Sequence, residues 1–138
     1  MSYQKIMVGL CGRGDENKVI QEAVKLAEIH GAELTVLHVN DPHAGEMSMM
    51  MDNPESKYTE EDIRNWFKNA SCDDWCDKIN IKIVSGTSIP KTISSNVNDA
   101  DLLVLGHRRM NVFKKNFFDS IDEGVVNNVH CPVLIVQK

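Results

Sequence analysis

Residues 6–39, IMVGLCGRGDENKVIQEAVKLAEIHGAELTVLHV, decide the fold. The run Ile6-Met-Val-Gly-Leu10 reads as a strand, and Cys11-Gly-Arg-Gly14 turns the chain. Asp15 is placed to cap a helix with apolar positions Val19, Ile20, Ala23, Val24 and Ala27. Those positions fall on one stripe of a 3.6-residue repeat, and Gly31 supplies the stop. Leu34-Thr-Val-Leu-His-Val39 is the next strand. Both strands are apolar runs more than alternations, as expected where helices cover the two faces of a parallel sheet.

The alternation continues to the end of the chain. Residues 40–56 carry Pro42, Gly45 and Pro54 without a period and read as a long loop. Thr59-Glu-Glu-Asp62 has the form of a capping box opening a second helix. Its stripe Ile63, Trp66, Phe67, Ala70 is out of phase with the following Cys72, Trp75, Cys76, Ile79, which predicts a break near Ser71 or a helix covered on two sides. Ile81–Val84 is a third strand, and Gly86 turns the chain. Ser88 and Pro90 begin a third helix with Ile89, Ile93, Val97 and Ala100 as its stripe. Leu102–Leu105 is a fourth strand, ending at Gly106, and a basic loop runs from His107 to Asn116. Ser120-Ile-Asp-Glu123 forms a second capping box before a helix with Ile121, Val125 and Val129 inward, and Val133–Val136 is the last strand. The expectation is an α/β fold, a three-layer sandwich with a five-stranded parallel sheet, Rossmann-like, as one domain over residues 1–138. Ligands on such sheets bind beyond the carboxyl ends of the strands at a topological switch point, which singles out the loops after the first, second and fourth strands.

Composition narrows the function. The 138 residues are 42% hydrophobic and 25% charged, which suits a fold with a sizeable core. Fifteen basic against twenty acidic residues give a net charge of -5, which argues against nucleic-acid or anionic-membrane binding. No stretch approaches a membrane span, and the N-terminus lacks the layout of a signal peptide. Cys11, Cys72, Cys76 and Cys131 are dispersed and read as reduced thiols of a cytoplasmic protein.

The whole chain resembles the universal stress protein family. The resemblance lies in Lys5-Ile-Met-Val-Gly-Leu10, Leu34-Thr-Val-Leu-His-Val39, Asp101-Leu-Leu-Val-Leu-Gly106 and His130-Cys-Pro-Val-Leu-Ile-Val136, in that order and spacing. It implies a homodimer associating through the last strand. It also implies, for nucleotide-binding members, an ATP site built on a Gly-x2-Gly, nine residues, Gly-Ser/Thr loop after the fourth strand. Glycines there let backbone N–H groups approach phosphates, and a following helix N-terminus favours an anion. In this sequence Gly106 and Ser120 match that pattern, as does Val39 at the adenine-contacting end of the second strand. Arg109 and Asp119 stand where glycines belong, and Cys11 replaces the family's acidic residue after the first strand. A Cβ at Arg109 obstructs close approach of the backbone, and Asp119 puts a carboxylate beside the phosphate positions. Arg108, Arg109, Lys114 and Lys115 offset that charge, so an altered anion site is the alternative to loss of the site.

Each of these residues also has a plain structural reading. Ser120 is accounted for as a helix N-cap closed by Glu123, and the basic loop as a solvated one. Gly12-Arg-Gly14 begins like a dinucleotide fingerprint, but Asn17 occupies its third glycine position, leaving a turn. Cys72 and Cys76 read as core thiols rather than zinc ligands, for want of two further partners. Cys11 at the loop before a helix is a candidate thiol sensor. Methionines 47 and 49–51 with His43 read as a loop closing over an apolar surface rather than a soft-metal site, and His38 as a satisfied core histidine. No Ser-His-Asp set, His-Glu-x-x-His pair or nucleophile elbow is present in recognisable form. The function expected is therefore a binding and regulatory homodimer in the stress response, without ATP in the usual family manner. Two alternatives stand beside it: an ATP-binding member with an altered phosphate loop and weak hydrolysis, and a thiol or small-molecule sensor at Cys11.

Overall fold

The computed structural model describes residues 2–12, 14–40, 57–107 and 124–138. Its strands are β1 (Lys5–Gly9), β2 (Glu33–Asn40), β3 (Asn80–Ser85), β4 (Leu102–His107) and β5 (Val133–Gln137). Its helices are α1 (Asn17–His30), α2 (Glu60–Asn69) and α3 (Ile89–Ser95), with a 3-10 turn at Asp73–Trp75. Residues 124–126 are helical where the fourth helix is expected. The loop over 40–56 (its first residue, Asn40, apart) and the Ser120–Glu123 capping box lie outside the described residues.

The five strands form one parallel sheet in the order β3-β2-β1-β4-β5. α1 buries Val19, Ile20, Ala23, Val24 and Ala27, the stripe read from the sequence, and α2 adds Ile63 and Phe67 to the same core. The opposite face is covered by Ile93, Val97, Ala100 and Val125. Helices on both faces explain why the central strands are apolar runs: β1 turns Ile6 and Val8 to one core and Met7 to the other. The sandwich has three layers, as expected. The strand order reverses between β1 and β4, so the switch point lies at their carboxyl ends.

Local signals act as the sequence indicates in several places. Thr59 accepts a hydrogen bond from the Asp62 N–H, and the Asp62 carboxylate accepts one from the Thr59 N–H, closing the capping box. α2 ends at Asn69, and Ser71 takes a left-handed conformation with φ 61°, which is the break that the phase change predicts. Asp101 accepts hydrogen bonds from the Gln4 and Lys5 N–H groups at 2.9 and 3.0 Å, pinning the start of β1 beside that of β4. Those two backbone bonds hold its carboxyl below the usual carboxylate range.

Three expectations need correction. Asp15 does not cap α1: the N-cap residue is Glu16, and no side chain there makes a capping bond. Ile89 is 39% exposed rather than inward, because α3 starts at that residue and runs for only seven. The stripe Cys72, Trp75, Cys76, Ile79 is not one face of a helix: after the break at Ser71 the chain makes only a 3-10 turn at Asp73–Trp75, flanked by the two cysteines. They are core thiols all the same. Cys72 Sγ–H donates to the Ala70 carbonyl at 3.5 Å and Cys76 Sγ–H to the Arg64 carbonyl at 3.3 Å. Burial raises the pKa of both.

Candidate functional site

The site grows from the carboxyl ends of β1, β2 and β4. Leu10 N–H donates to the Leu37 carbonyl at 3.0 Å, extending the β1–β2 ladder one residue past β1. The chain then leaves the sheet through Cys11 and Gly12, whose N–H groups both point at one carboxylate, that of Glu16. Cys11 N–H donates to its two oxygens at 3.0 and 2.9 Å, and Gly12 N–H donates to Oε1. Glu16 is only 5% exposed, so this turn holds a buried anion on backbone donors, supplied by the chain itself.

A second group closes the turn from the β2 side. His38 is buried, with Nδ1 2.7 Å from the Leu10 carbonyl oxygen and Nε2 2.9 Å from Asn40 Oδ1. It is the satisfied core histidine expected. Asn40 pairs with the Tyr58 backbone: its Oδ1 accepts from the Tyr58 N–H at 3.2 Å, and its Nδ2 donates to the Tyr58 carbonyl at 3.4 Å. Tyr58 Oη–H donates to the Gly12 carbonyl at 3.1 Å. The rings of His38, Tyr58 and Trp66 meet edge to face with centroids 5.1–5.6 Å apart. Gly12 is a turn glycine with φ +82°, and a Cβ there lies 2.8 Å from both the Trp66 and Tyr58 rings. A glycine at this turn therefore leaves room for the aromatic cover of Trp66 and Tyr58.

A third feature lies at β4. Lys138 N–H donates to the His107 carbonyl at 2.9 Å, continuing the β4–β5 ladder. Its side chain runs back over Gly106, where an added Cβ meets Lys138 Cε at 2.4 Å and Val19 Cγ2 at 2.7 Å. The chain ends in an ion pair, Lys138 Nζ to Asp15 Oδ1, at 3.4 Å. The Lys138 side chain is 9% exposed, lying along the switch point with its head group on Asp15. This is where Asp15 goes instead of capping α1.

The residues read from the sequence are thus partly assembled. Gly106 sits near the end of β4, its open side occupied by Lys138 and Val19. Val39 lies near the end of β2, half-buried and packed against the core on the α3 face. Cys11 is exposed at the end of β1 with its N–H on Glu16. Arg109, Asp119 and Ser120, with the rest of 108–123, lie outside the described residues. Sequence reasoning missed Glu16, Tyr58 and Lys138. Only the clustering of polar residues around Gly12 hinted at the first, and nothing local marked the others.

The comparisons agree with this architecture. The chain matches the universal stress protein family over residues 2–137. It is 24% identical over 143 aligned residues to a protein of Staphylococcus aureus (strain USA300) named as a universal stress protein, covering 99% of this chain and 86% of that one. Universal stress protein UspA from Lactobacillus plantarum superposes with a TM-score of 0.71 at 23% identity, covering 99% of both chains. The universal stress protein from Archaeoglobus fulgidus in complex with dAMP gives 0.60 at 20% identity, again covering 99% of each. At such identities the two structural likenesses speak to the fold alone.

Proposed function

Because this chain belongs to the universal stress protein family, we propose that it acts as a cytoplasmic binding and regulatory homodimer in the stress response, and that it does so without holding ATP in the usual family manner. The observation that carries the second part is the state of Gly106. Where a nucleotide-binding loop needs open space over its first glycine, this chain lays the Lys138 side chain there, with Val19 beneath. The exposed Cys11 in place of an acid after β1 supports the same reading. A relative of the fold is known with dAMP, so nucleotide chemistry is the right comparison to test. Calorimetric titration of nucleotide-stripped protein with ATP and Mg²⁺ is expected to give no heat up to millimolar ligand and no shift in thermal midpoint. Micromolar binding would overturn the reading in favour of an ATP site using Val39, Gly106, Ser120 and the basic loop.

The homodimer is supported by the edge that β5 presents. Among the described residues β5 pairs only with β4, and its residues Val133 to Val136 are half-buried and apolar. Pro132 O and Lys138 N–H bond to β4, so the alternation along a strand turns the polar backbone groups of residues 133, 135 and 137 to the open edge. Such an edge favours pairing with a second copy. Ile135→Pro removes one outward N–H and leaves the inward ladder intact. It is expected to give a 15.5 kDa monomer by light scattering, whereas Ile135→Ala, which loses the side chain but keeps the N–H, stays dimeric. A dimeric Ile135→Pro protein would sink assembly through this strand.

A further inference from the structure

We propose that His38 is a proton-operated clasp. As an imidazolium it bridges the Leu10 carbonyl and the Asn40 side chain and keeps Tyr58 seated over Gly12. When it loses a proton, the Asn40 amide turns over and lets the Tyr58 backbone go. The clasp goes beyond the proposed function and stands whether or not the chain holds a nucleotide.

His38 is only 3% exposed, and both of its ring nitrogens face oxygens. Nδ1 lies 2.7 Å from the Leu10 carbonyl oxygen, which can only accept, and Nε2 lies 2.9 Å from Asn40 Oδ1. The Asn40 amide owes its orientation to Tyr58, whose N–H meets its oxygen at 3.2 Å and whose carbonyl meets its NH2 at 3.4 Å. A neutral imidazole has one N–H and one lone pair, so it satisfies one of these oxygens and sets a lone pair against the other. The imidazolium donates to both. By strand alternation His38 faces α1 and α2, as Leu34 and Val36 do. From α2 and the residues before it come the Trp66 and Tyr58 rings, Tyr58 with its hydroxyl on the Gly12 carbonyl. The β1–α1 turn brings the Cys11 thiol and the Glu16 carboxylate, and the strand neighbours Leu10 and Ile83 carry no charge.

The two ends of the clasp are not equal. The Leu10 carbonyl belongs to the same planar peptide unit as the Cys11 N–H, which both Glu16 carboxylate oxygens hold at 3.0 and 2.9 Å, so that unit cannot turn to present a donor. The Asn40 amide can. Its oxygen and NH2 are nearly equal in size, so a half-turn about its last side-chain bond needs no extra room. The proton is therefore kept on Nδ1 and lost from Nε2, and a turned-over Asn40 donates to the bare nitrogen. That turn sets an NH2 against the Tyr58 N–H and an oxygen against the Tyr58 carbonyl, so both backbone bonds are lost together. The hydroxyl bond and the ring contacts are then what hold Tyr58 over Gly12. Imidazole changes charge near neutrality, so the cover is closed at lower pH and loosened at higher pH.

The test follows the full, isotope-labelled chain by NMR from about pH 5 to about pH 8.5, the range in which an imidazole changes charge. The readout is the amide exchange rate of Tyr58 divided by that of Thr59, whose N–H is held by the Asp62 carboxylate and shares the base catalysis of exchange. The ratio is expected to rise on the order of tenfold with the same midpoint as the His38 ring signals, the Nε2 proton being the one lost. A constant ratio while His38 titrates overturns the clasp, as does loss of the Nδ1 proton or a ring that keeps one charge state throughout. Asn40→Asp replaces the turnable amide with a carboxylate that only accepts, and is expected to move the His38 transition up by about one pH unit or more. An unmoved or lowered transition overturns the pairing on which the clasp depends. His38→Gln cannot titrate and is expected to hold the ratio constant. A ratio that still rises in that variant assigns the effect to another group and overturns the clasp.

Discussion

Phe67→Ala is expected to lower the unfolding free energy by about 3–5 kcal/mol, read as a shift in the denaturant midpoint at unchanged slope. α2 is amphipathic, with three acids in its first turn, and its only buried residues are Ile63 and Phe67, both 0% exposed. Phe67 is among the largest wholly buried side chains of the described residues, and it joins α2 to the core that α1 and the sheet share. Truncation removes a ring from between those layers. The core it joins also holds short side chains, Val36, Ala23 and Ala27 among them, which cannot lengthen to fill a lost ring. A loss below about 1 kcal/mol would mean that α2 collapses onto the sheet without it, and that the α1-side layer is not a packed one.

Gly12→Val is expected to cost about 2–4 kcal/mol, combining backbone strain with overpacking. At φ +82° a β-branched residue is badly placed, and its Cβ would lie 2.8 Å from the rings of Trp66 and Tyr58. Those rings are held on other sides by His38, and Tyr58 also by the Asn40 pairing, so they have little room to withdraw. Gly14→Ala is the control. Its φ is +79°, but nothing lies within 4 Å of the added Cβ, so only the backbone term of about 1–2 kcal/mol remains. The Trp66 environment gives an independent readout, since displacement of the aromatic cover changes its fluorescence. Equal losses for the two variants would show that the Tyr58–Trp66 cover yields freely.

How much of this was legible in the sequence depends on the range of the physics involved. The βαβ alternation, the stripe Val19 to Ala27, the Thr59–Asp62 box and the break near Ser71 rest on residues a few positions apart. Short-range sterics and periodicity settle such features, so a reading of the chain reaches them. The strand order β3-β2-β1-β4-β5 was not read from the sequence; it came with the structure. Motif comparison placed Val39, Gly106 and Cys11 at one end of the sheet, where the structure has them.

The misreadings share a cause. Asp15 has every local qualification as an N-cap, and is drawn away by an ammonium 123 positions later in the chain. Ile89 fits a helical stripe, but α3 begins at it and gives it no turn to lie against.

By itself, then, the sequence determined the elements and their alternation, because those depend on near neighbours and on chain handedness. Only the tertiary structure decided which groups meet at the carboxyl end of the sheet: Glu16 on the Cys11 and Gly12 N–H groups, Tyr58 on Gly12, and Lys138 on Asp15 across Gly106. The last two join residues far apart in the chain. A long lysine or tyrosine side chain has no preferred partner until the sheet has brought the candidates within reach.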